Sequence, residues 1–147
     1  MISIREFQPD DKLQWLQLWE AYLDFYKAKL PSEVGEQTWE RLLAADGDIA
    51  GFAAVDENGT MVGMVTYLFH STTWSSLPRC YLHDLYSVPE SRGQGIGRKL
   101  IEAVYKAAAD YGSDQVYWLT QEFNYPGRTL YDKVADKTDF IKYAKKL

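Results

Sequence analysis

The stretch from Tyr81 to Val104, YLHDLYSVPESRGQGIGRKLIEAV, restricts what this chain can fold into more than any other. Tyr81 to Val88 is strand-like, Pro89-Glu90-Ser91 is a turn, and Arg92-Gly93-Gln94-Gly95-Ile96-Gly97 is a glycine-rich loop. Ile96, Leu100, Ile101, Val104, Ala107, Ala108 and Tyr111 then recur at helical spacing and mark one apolar face. The loop therefore joins the end of a strand to the start of an amphipathic helix. The first N–H groups of a helix have no partner within it, and the helix dipole adds partial positive charge there. Such a place holds anions, phosphates above all. The glycines allow close backbone approach, and Arg92 adds a full charge.

The spacing narrows the ligand. A P-loop needs G-x-x-x-x-G-K-S/T, and no Gly-Lys pair occurs in this chain. The dinucleotide pattern G-x-G-x-x-G starts at Gly93 and Gly95 but finds Arg98 where its third glycine belongs. Arg92, Gly95 and Gly97 do fit R-x-x-G-x-G. The same pattern also arises in a glycine-rich turn that holds no ligand. In its place between this strand and this helix it resembles the acetyl-CoA pyrophosphate loop of the GCN5-related N-acetyltransferases (GNAT). The resemblance implies that Arg92, Gly93, Gln94, Gly95, Ile96, Gly97 and Arg98 bind the cofactor diphosphate.

The rest of the chain agrees in order. Ile2 to Phe7 alternates as a first strand, and a helix starts at Pro9-Asp10-Asp11 with an Asp as N-cap. Its apolar side is Leu13, Leu16, Trp19, Tyr22, Leu23 and Tyr26, and it ends near Leu30-Pro31. A second helix covers Glu36 to Ala45, with Trp39, Leu42 and Leu43 inward. Ile49–Val55 and Met61–Phe69 form a hairpin across Asn58-Gly59. After the central stretch come a buried strand from Gln115 to Thr120, a short helix from Gly127 to Val134, and a last strand from Phe140 to Tyr143. These elements predict an α/β fold, a mixed sheet with helices on both faces. It is the order of the GNAT fold, a mostly antiparallel sheet with splayed strands, and all 147 residues read as one domain.

The resemblance implies that Tyr81–Val88 and Gln115–Thr120 splay apart and admit the pantetheine arm, which pairs with backbone around Leu85, Tyr86 and Ser87. It also implies that Asn124 binds the arm and that Tyr131 sits beside the sulfur. A phenol of pKa about 10 can donate to a nascent thiolate whose thiol titrates near about 8.5. A packed core tyrosine is the plainer role for Tyr131. The acceptor amine must lose a proton, since an alkylammonium of pKa about 10.4 has no lone pair. In polyamine acetyltransferases of this family a Glu, proposed as a base through water, holds the position of His83. A histidine suits that task, with an ordinary pKa near about 6.5. His83 and Asp84 are strand neighbours and are expected on opposite sides of the sheet. Asp84 matches an Asp common to this subgroup, and a structural role, bonding backbone near the loop, is its other reading. Glu122 and Asp24 are weaker candidates for the base. Cys80 invites an acetyl-cysteine intermediate, but its place at the strand's start favours a small buried role.

Asp24, Tyr26 and Trp74, with Asp84, are expected to bind the acceptor as an acidic, aromatic wall suited to a cation; packing or dimer contacts are the other reading of these aromatics. The net charge of −5 also favours cationic partners and disfavours nucleic acid. Leu23-Asp24-Phe25-Tyr26, Val116–Thr120 and Leu130–Ala135 resemble the Hpa-type acetyltransferases, close to diamine acetyltransferases, whose members are similar in dimerising. Where much of the family has Gly-Phe after the Tyr helix, this chain reads Val134-Ala135. The reading is an acetyl-CoA-dependent N-acetyltransferase working by direct attack of a primary amine. The acceptor is a small cationic amine, polyamine, amino acid or lysine side chain. A silent acyl-CoA-binding sensor on the same fold is the alternative, and a nucleotide-phosphate binder a third. No metal is expected, nor a membrane partner. The one cysteine, Cys80, suits the cytoplasm, and a homodimer is expected.

Overall fold

Asp56 builds the turn that starts the sheet. Its Oδ1 accepts from the N–H groups of Asn58 and Thr60, each at 2.9 Å, and Gly59 takes the left-handed φ of 81° that an L side chain resists. The turn pairs β2 (Ala50–Val55) with β3 (Met61–His70). The computed structural model describes residues Met1–Leu147. Its sheet runs β1 (Ser3–Glu6), β2, β3, β4 (Arg79–Ser87), β5 (Val116–Tyr117) in spatial order. The first three pairings are antiparallel, and β4 with β5 is parallel. The expected mixed, mostly antiparallel sheet forms.

Helices cover both faces. α1 (Lys12–Phe25) and α2 (Ser32–Leu43) lie on one, where Trp15, Trp19 and Trp39 pack with Ala53, Met61, Met64 and Tyr86. Trp15 stacks on Trp19 at 5.4 Å and meets Trp39 at 5.5 Å. α3 (Ile96–Tyr111) lies on the other face, with Leu100, Ile101 and Val104 fully buried against Val65, Cys80 and Leu82. α4 (Tyr125–Val134) packs beside α3 through Leu130. Such interdigitated apolar layers supply most of the stabilisation, roughly 1.5–3 kcal/mol for each fully buried large side chain.

Several expected boundaries shift. α1 ends at Phe25, because Lys27 turns left-handed at φ 54°. Its buried side is Trp15, Leu18, Trp19 and Leu23, while Leu13 points to solvent, so the buried stripe keeps Trp19 and Leu23 of the expected one but is rotated toward Trp15 and Leu18. α2 begins earlier, at Ser32 just after Pro31, whose fixed φ suits a helix start. Asp11 stands at the N-cap of α1 as expected but makes no side-chain cap there; its carboxylate reaches back and accepts from the Gln8 N–H at 2.8 Å and from Arg5 at 2.7 Å. β5 is confined to Val116–Tyr117 rather than spanning Gln115–Thr120. The final strand at Phe140–Tyr143 does not form. No neighbouring strand receives its backbone, and Phe140, Ile141 and Tyr143 are exposed.

One close approach fixes α3 on the sheet. A Cβ at Gly63 of β3 would lie 2.8 Å from Ile96 Cγ2 and 3.0 Å from the Tyr86 carbonyl. The first turn of α3 therefore rests directly on β3 backbone. Gly63→Val is expected to destabilise the fold by about 1–3 kcal/mol through overpacking, read as a lowered Tm in thermal unfolding.

Candidate active site

The glycine-rich loop ends β4 and starts α3 with a concave run of backbone. Gly93 and Gly95 are left-handed, at φ 86° and 75°, and a Cβ at either would meet nothing within 4 Å. The loop surface is open on that side. No side chain caps α3, and its first amide bonded along the chain is Lys99, to the Gly95 carbonyl at 3.0 Å. The N–H groups from Gly93 to Arg98 find no acceptor in the chain. Successive free amides at a helix start form a nest for an anion. Arg92 bonds back to the Ser87 carbonyl at 3.3 Å, which ties the loop to the end of β4. Ile96 faces inward, so only its backbone belongs to the nest. Arg98 reaches Glu102 at 3.6 Å, and Gln94 is exposed. Gly97 is different: a Cβ there would lie 3.1 Å from Leu130, so its bareness lets α3 and α4 touch.

Beyond this loop the sheet parts. β4 meets β5 only at Cys80 with Val116 and at Tyr81 with Tyr117. From Leu82 onward that edge of β4 has no strand beside it. The gap is a cleft of about 320 Å³, bounded by Leu82, His83 and Leu85 on one side and by Trp118 to Gln121 on the other. Tyr22, Tyr26, Tyr81, Tyr131 and Lys142 close it round.

A bulge in β4 sets the chemistry at the cleft. Thr66 pairs with Asp84 and Tyr67 with Leu82, so His83 is an extra residue between them. The expectation that His83 and Asp84 point to opposite sides is thereby corrected. Before the bulge Cys80 and Leu82 face α3; after it Tyr86 faces α1. Asp84 Oδ1 lies 3.1 Å from His83 Nδ1, while Asp84 Oδ2 accepts from the Thr66 hydroxyl at 2.5 Å. The Tyr22 hydroxyl also favours the ionised carboxylate. Burial pushes the Asp84 carboxyl up, but the donors and the charge of His83 outweigh it and hold it below the usual carboxylate value. The hydrogen bond with Asp84 raises the His83 imidazole above its ordinary 6.5, against burial and the nearby charge of Lys142. Asp84 is buried and His83 half-exposed, so the carboxylate backs an imidazole that faces the cleft.

Tyr131 enters from α4. Its ring meets Trp118 edge-on at 5.4 Å, and burial, helped by Tyr26, pushes its hydroxyl up to about 12. It stays protonated at neutral pH and is a donor. Asn124 caps α4: its Oδ1 accepts from the Gly127 N–H at 3.3 Å and its Nδ2 donates to Thr120 at 3.0 Å. A Cβ at Gly127 would lie 2.6 Å from Asn124 Nδ2, so the cap leaves no room for a side chain there. The cap also moves the helix start to Tyr125, ahead of the expected Gly127.

The other expected residues divide. Leu85 lines the cleft, Tyr86 is buried on the α1 face, and Ser87 offers its carbonyl to Arg92. Tyr26 joins the cleft, but Asp24 is exposed and outside it. Trp74 lies in a separate hollow with Phe140, Arg79 and two threonines. The expected acidic, aromatic wall of Asp24-Phe25-Tyr26 and Trp74 therefore does not assemble, and Asp84, also expected to bind the acceptor, is engaged by Thr66 and His83. Burial lifts the Cys80 thiol to about 11, against a nucleophilic role. Tyr22, Tyr81, Thr66, Trp118 and Lys142 were not among the expected site residues. Tyr22 stands one helical turn before Tyr26 and Tyr81 two residues before His83, spacings that place them on shared faces. Nothing in the sequence marks Lys142, which falls in the segment read as a strand.

Known proteins carry the same pattern. The model of the Acetyltransferase (GNAT) family matches residues 15–135. D-amino-acid N-acetyltransferase HPA3 of Saccharomyces cerevisiae is 38% identical over 143 residues, 97% of this chain and 89% of that protein. Thialysine N-epsilon-acetyltransferase of Bos taurus is 29% identical over 142 residues, 88% of this chain and 81% of that one. Among solved structures, AAC(6')-Iy in complex with the bisubstrate analog CoA-S-monomethyl-acetylneamine superposes with a TM-score of 0.86 at 19% identity, over 100% of this chain and 99% of that one.

The coupling of His83 to Asp84 can be read directly. In Asp84→Asn the strongest partner that raises His83 is lost, so its NMR titration midpoint is expected to fall toward 6.5. An unmoved midpoint would mean that the 3.1 Å contact carries no charge coupling.

Proposed function

Because the chain belongs to the GNAT family and is an acetyl-CoA-dependent N-acetyltransferase acting on a primary amine, we propose that both substrates meet in the cleft between β4 and β5 and react by direct attack. The observation that carries this reading is that His83, backed by Asp84, and Tyr131 line one gap, while the free amides of Gly93–Arg98 follow directly on the end of β4, the strand that borders it. The loop fits a diphosphate: its amides are uncommitted, its two left-handed glycines present no side chain, and Arg92 and Arg98 bring charge. When bound, acetyl-CoA supplies the activated acetyl group. The unpaired edge at Leu85, Tyr86 and Ser87 offers backbone groups to its arm, as an added strand would use them. Asn124 holds the start of α4 and thereby the placement of Tyr131.

His83 takes the proton that the amine must lose. Asp84 fixes the ring through Nδ1, which leaves Nε2 as the basic nitrogen. With its pKa raised above 6.5, His83 is a stronger base than a free imidazole but is partly protonated near neutrality. Tyr131 donates a hydrogen bond toward the departing sulfur. A gap of about 3.5 units between its hydroxyl, near 12, and an ordinary thiol, near about 8.5, amounts to roughly 5 kcal/mol. That gap favours hydrogen bonding to the thiolate over full proton transfer. Leu130, packed against Gly97, sets how far α4 stands from the nest.

The acceptor class is a small primary amine or amino acid. Its support is the modest cleft and the relatives named for amino-acid substrates. Residues 1–147 act as one catalytic domain, and the single, buried cysteine suits a reducing cytoplasm. The net charge of −5 speaks against nucleic-acid or anionic-membrane partners. The apolar tail residues Phe140, Ile141 and Tyr143 are open to solvent, and a second copy of the chain covers them in a homodimer. Sedimentation of the purified chain is expected to give twice the 16.9 kDa chain mass; a monomer mass at all concentrations rejects the dimer.

The test is thiol release from acetyl-CoA across a panel of primary amines, amino acids and lysine peptides. A silent binder holds acetyl-CoA and releases thiol with none of them. Tyr131→Phe is expected to lower kcat by about 10²-fold or more, with the acetyl-CoA Kd little changed. In wild type kcat/KM is expected to rise with pH through the raised His83 midpoint. His83→Gln is expected to lose that limb. A retained limb removes His83 from the base role.

A further inference from the structure

One residue that lines the cleft comes from the C-terminal segment, and the chemistry above leaves it unused. After α4 the chain turns back, and the Phe140 ring packs edge-on against Trp74 at 6.3 Å. Two residues on, Lys142 lines the cleft beside His83, Tyr26 and Tyr131. Its ammonium is exposed and pairs with no carboxylate of the chain. Among the residues around the cleft, Lys142 is the one fixed positive charge and no free carboxylate accompanies it. Asp84 is buried beneath His83 and already engaged by Thr66.

We propose that Lys142 binds a carboxylate of the acceptor, so that the preferred acceptor is an amino acid, with its carboxylate close to the reacting amine, rather than a diamine or polyamine. The inference rests on the acetyl-transfer reading and adds to it the acceptor class and the residue that selects it. A diamine brings a second ammonium into a cleft with no anion to meet it and with Lys142 to repel it. An amino acid brings one negative charge that Lys142 satisfies and an amine that faces His83. The walls beyond, Leu82, Leu85, Trp118 and Leu119, suit an apolar side chain. Lys142 has a second effect on the same molecule. Its charge disfavours protonation of its surroundings, as it does at His83, and so disfavours the ammonium form of a nearby amine.

The test compares one amino acid with two partners of the same side chain: its methyl ester and its decarboxylated amine. Leucine, leucine methyl ester and isoamylamine form such a set, with spermidine as the polyamine probe. Thiol release from acetyl-CoA gives kcat/KM for each with wild type, Lys142→Met and Lys142→Arg. Wild type is expected to favour the free amino acid over the other three. In Lys142→Met the ratio of kcat/KM for the amino acid to that for the decarboxylated amine is expected to fall about 10- to 100-fold, the worth of one charge-assisted hydrogen bond, chiefly through KM. Lys142→Arg is expected to restore much of the ratio. A ratio that does not move in Lys142→Met, or a wild type that favours spermidine, overturns this inference and leaves acetyl transfer standing. No thiol release with any acceptor overturns both. Binding of acetyl-CoA by each variant, followed by calorimetry, shows that the variant is folded and loaded.

Discussion

β4 and β5 are joined at Cys80 with Val116 and at Tyr81 with Tyr117, and the cleft of the candidate site follows from the ladder stopping there. Backbone groups buried away from water need partners. A strand edge left bare beside a cleft is therefore a place where another chain-like molecule binds. The stop also swings Trp118 to Gln121 away from the sheet and brings α4 round, so that Tyr131 returns to face His83 across the gap. One interruption in hydrogen bonding thus makes the opening and positions its two titratable sides.

Charge is handled differently on the two sides. Asp84 is almost fully buried, and an ionised carboxylate there persists because Thr66, Tyr22 and His83 all favour its charged form. Tyr131 has no such partner, and burial leaves it neutral with a hydroxyl near 12. Environments that push two titratable groups in opposite senses divide a base from a donor. Here the imidazole rests on a carboxylate and the phenol rests on tryptophan.

Periodicity and turn chemistry made much of this readable in the sequence. The Asn58-Gly59 hairpin, the amphipathic face from Ile96 to Ala108 and the glycine loop are strictly local signals, and each appears where its residues place it. The loop's free amides follow from glycine at left-handed positions and from a helix that starts without a side-chain cap. What escaped depends on distant partners. The bulge at His83 is a mismatch between two strands and leaves no mark within either, so strict alternation misplaced Asp84. Val116 to Thr120 has the composition of a buried strand, yet only Val116 and Tyr117 find a neighbour. Phe140 to Tyr143 is apolar enough for a strand and has none to join. Asp24 and Trp74 carried suitable chemistry, but Asp24 falls on an exposed position of α1 and Trp74 in the hollow with Phe140.

Gly97 has no side chain, and Leu130 fills the space at 3.1 Å from where one would begin. Through that contact the start of α3, which carries the amide nest, packs against the helix bearing Tyr131. A donor is then measured like a key against a ruler: seating its charged end fixes the distance to the phenol, and an arm too short or too long presents its sulfur out of register. Length discrimination would then arise from the scaffold itself, from the spacing between two packed helices.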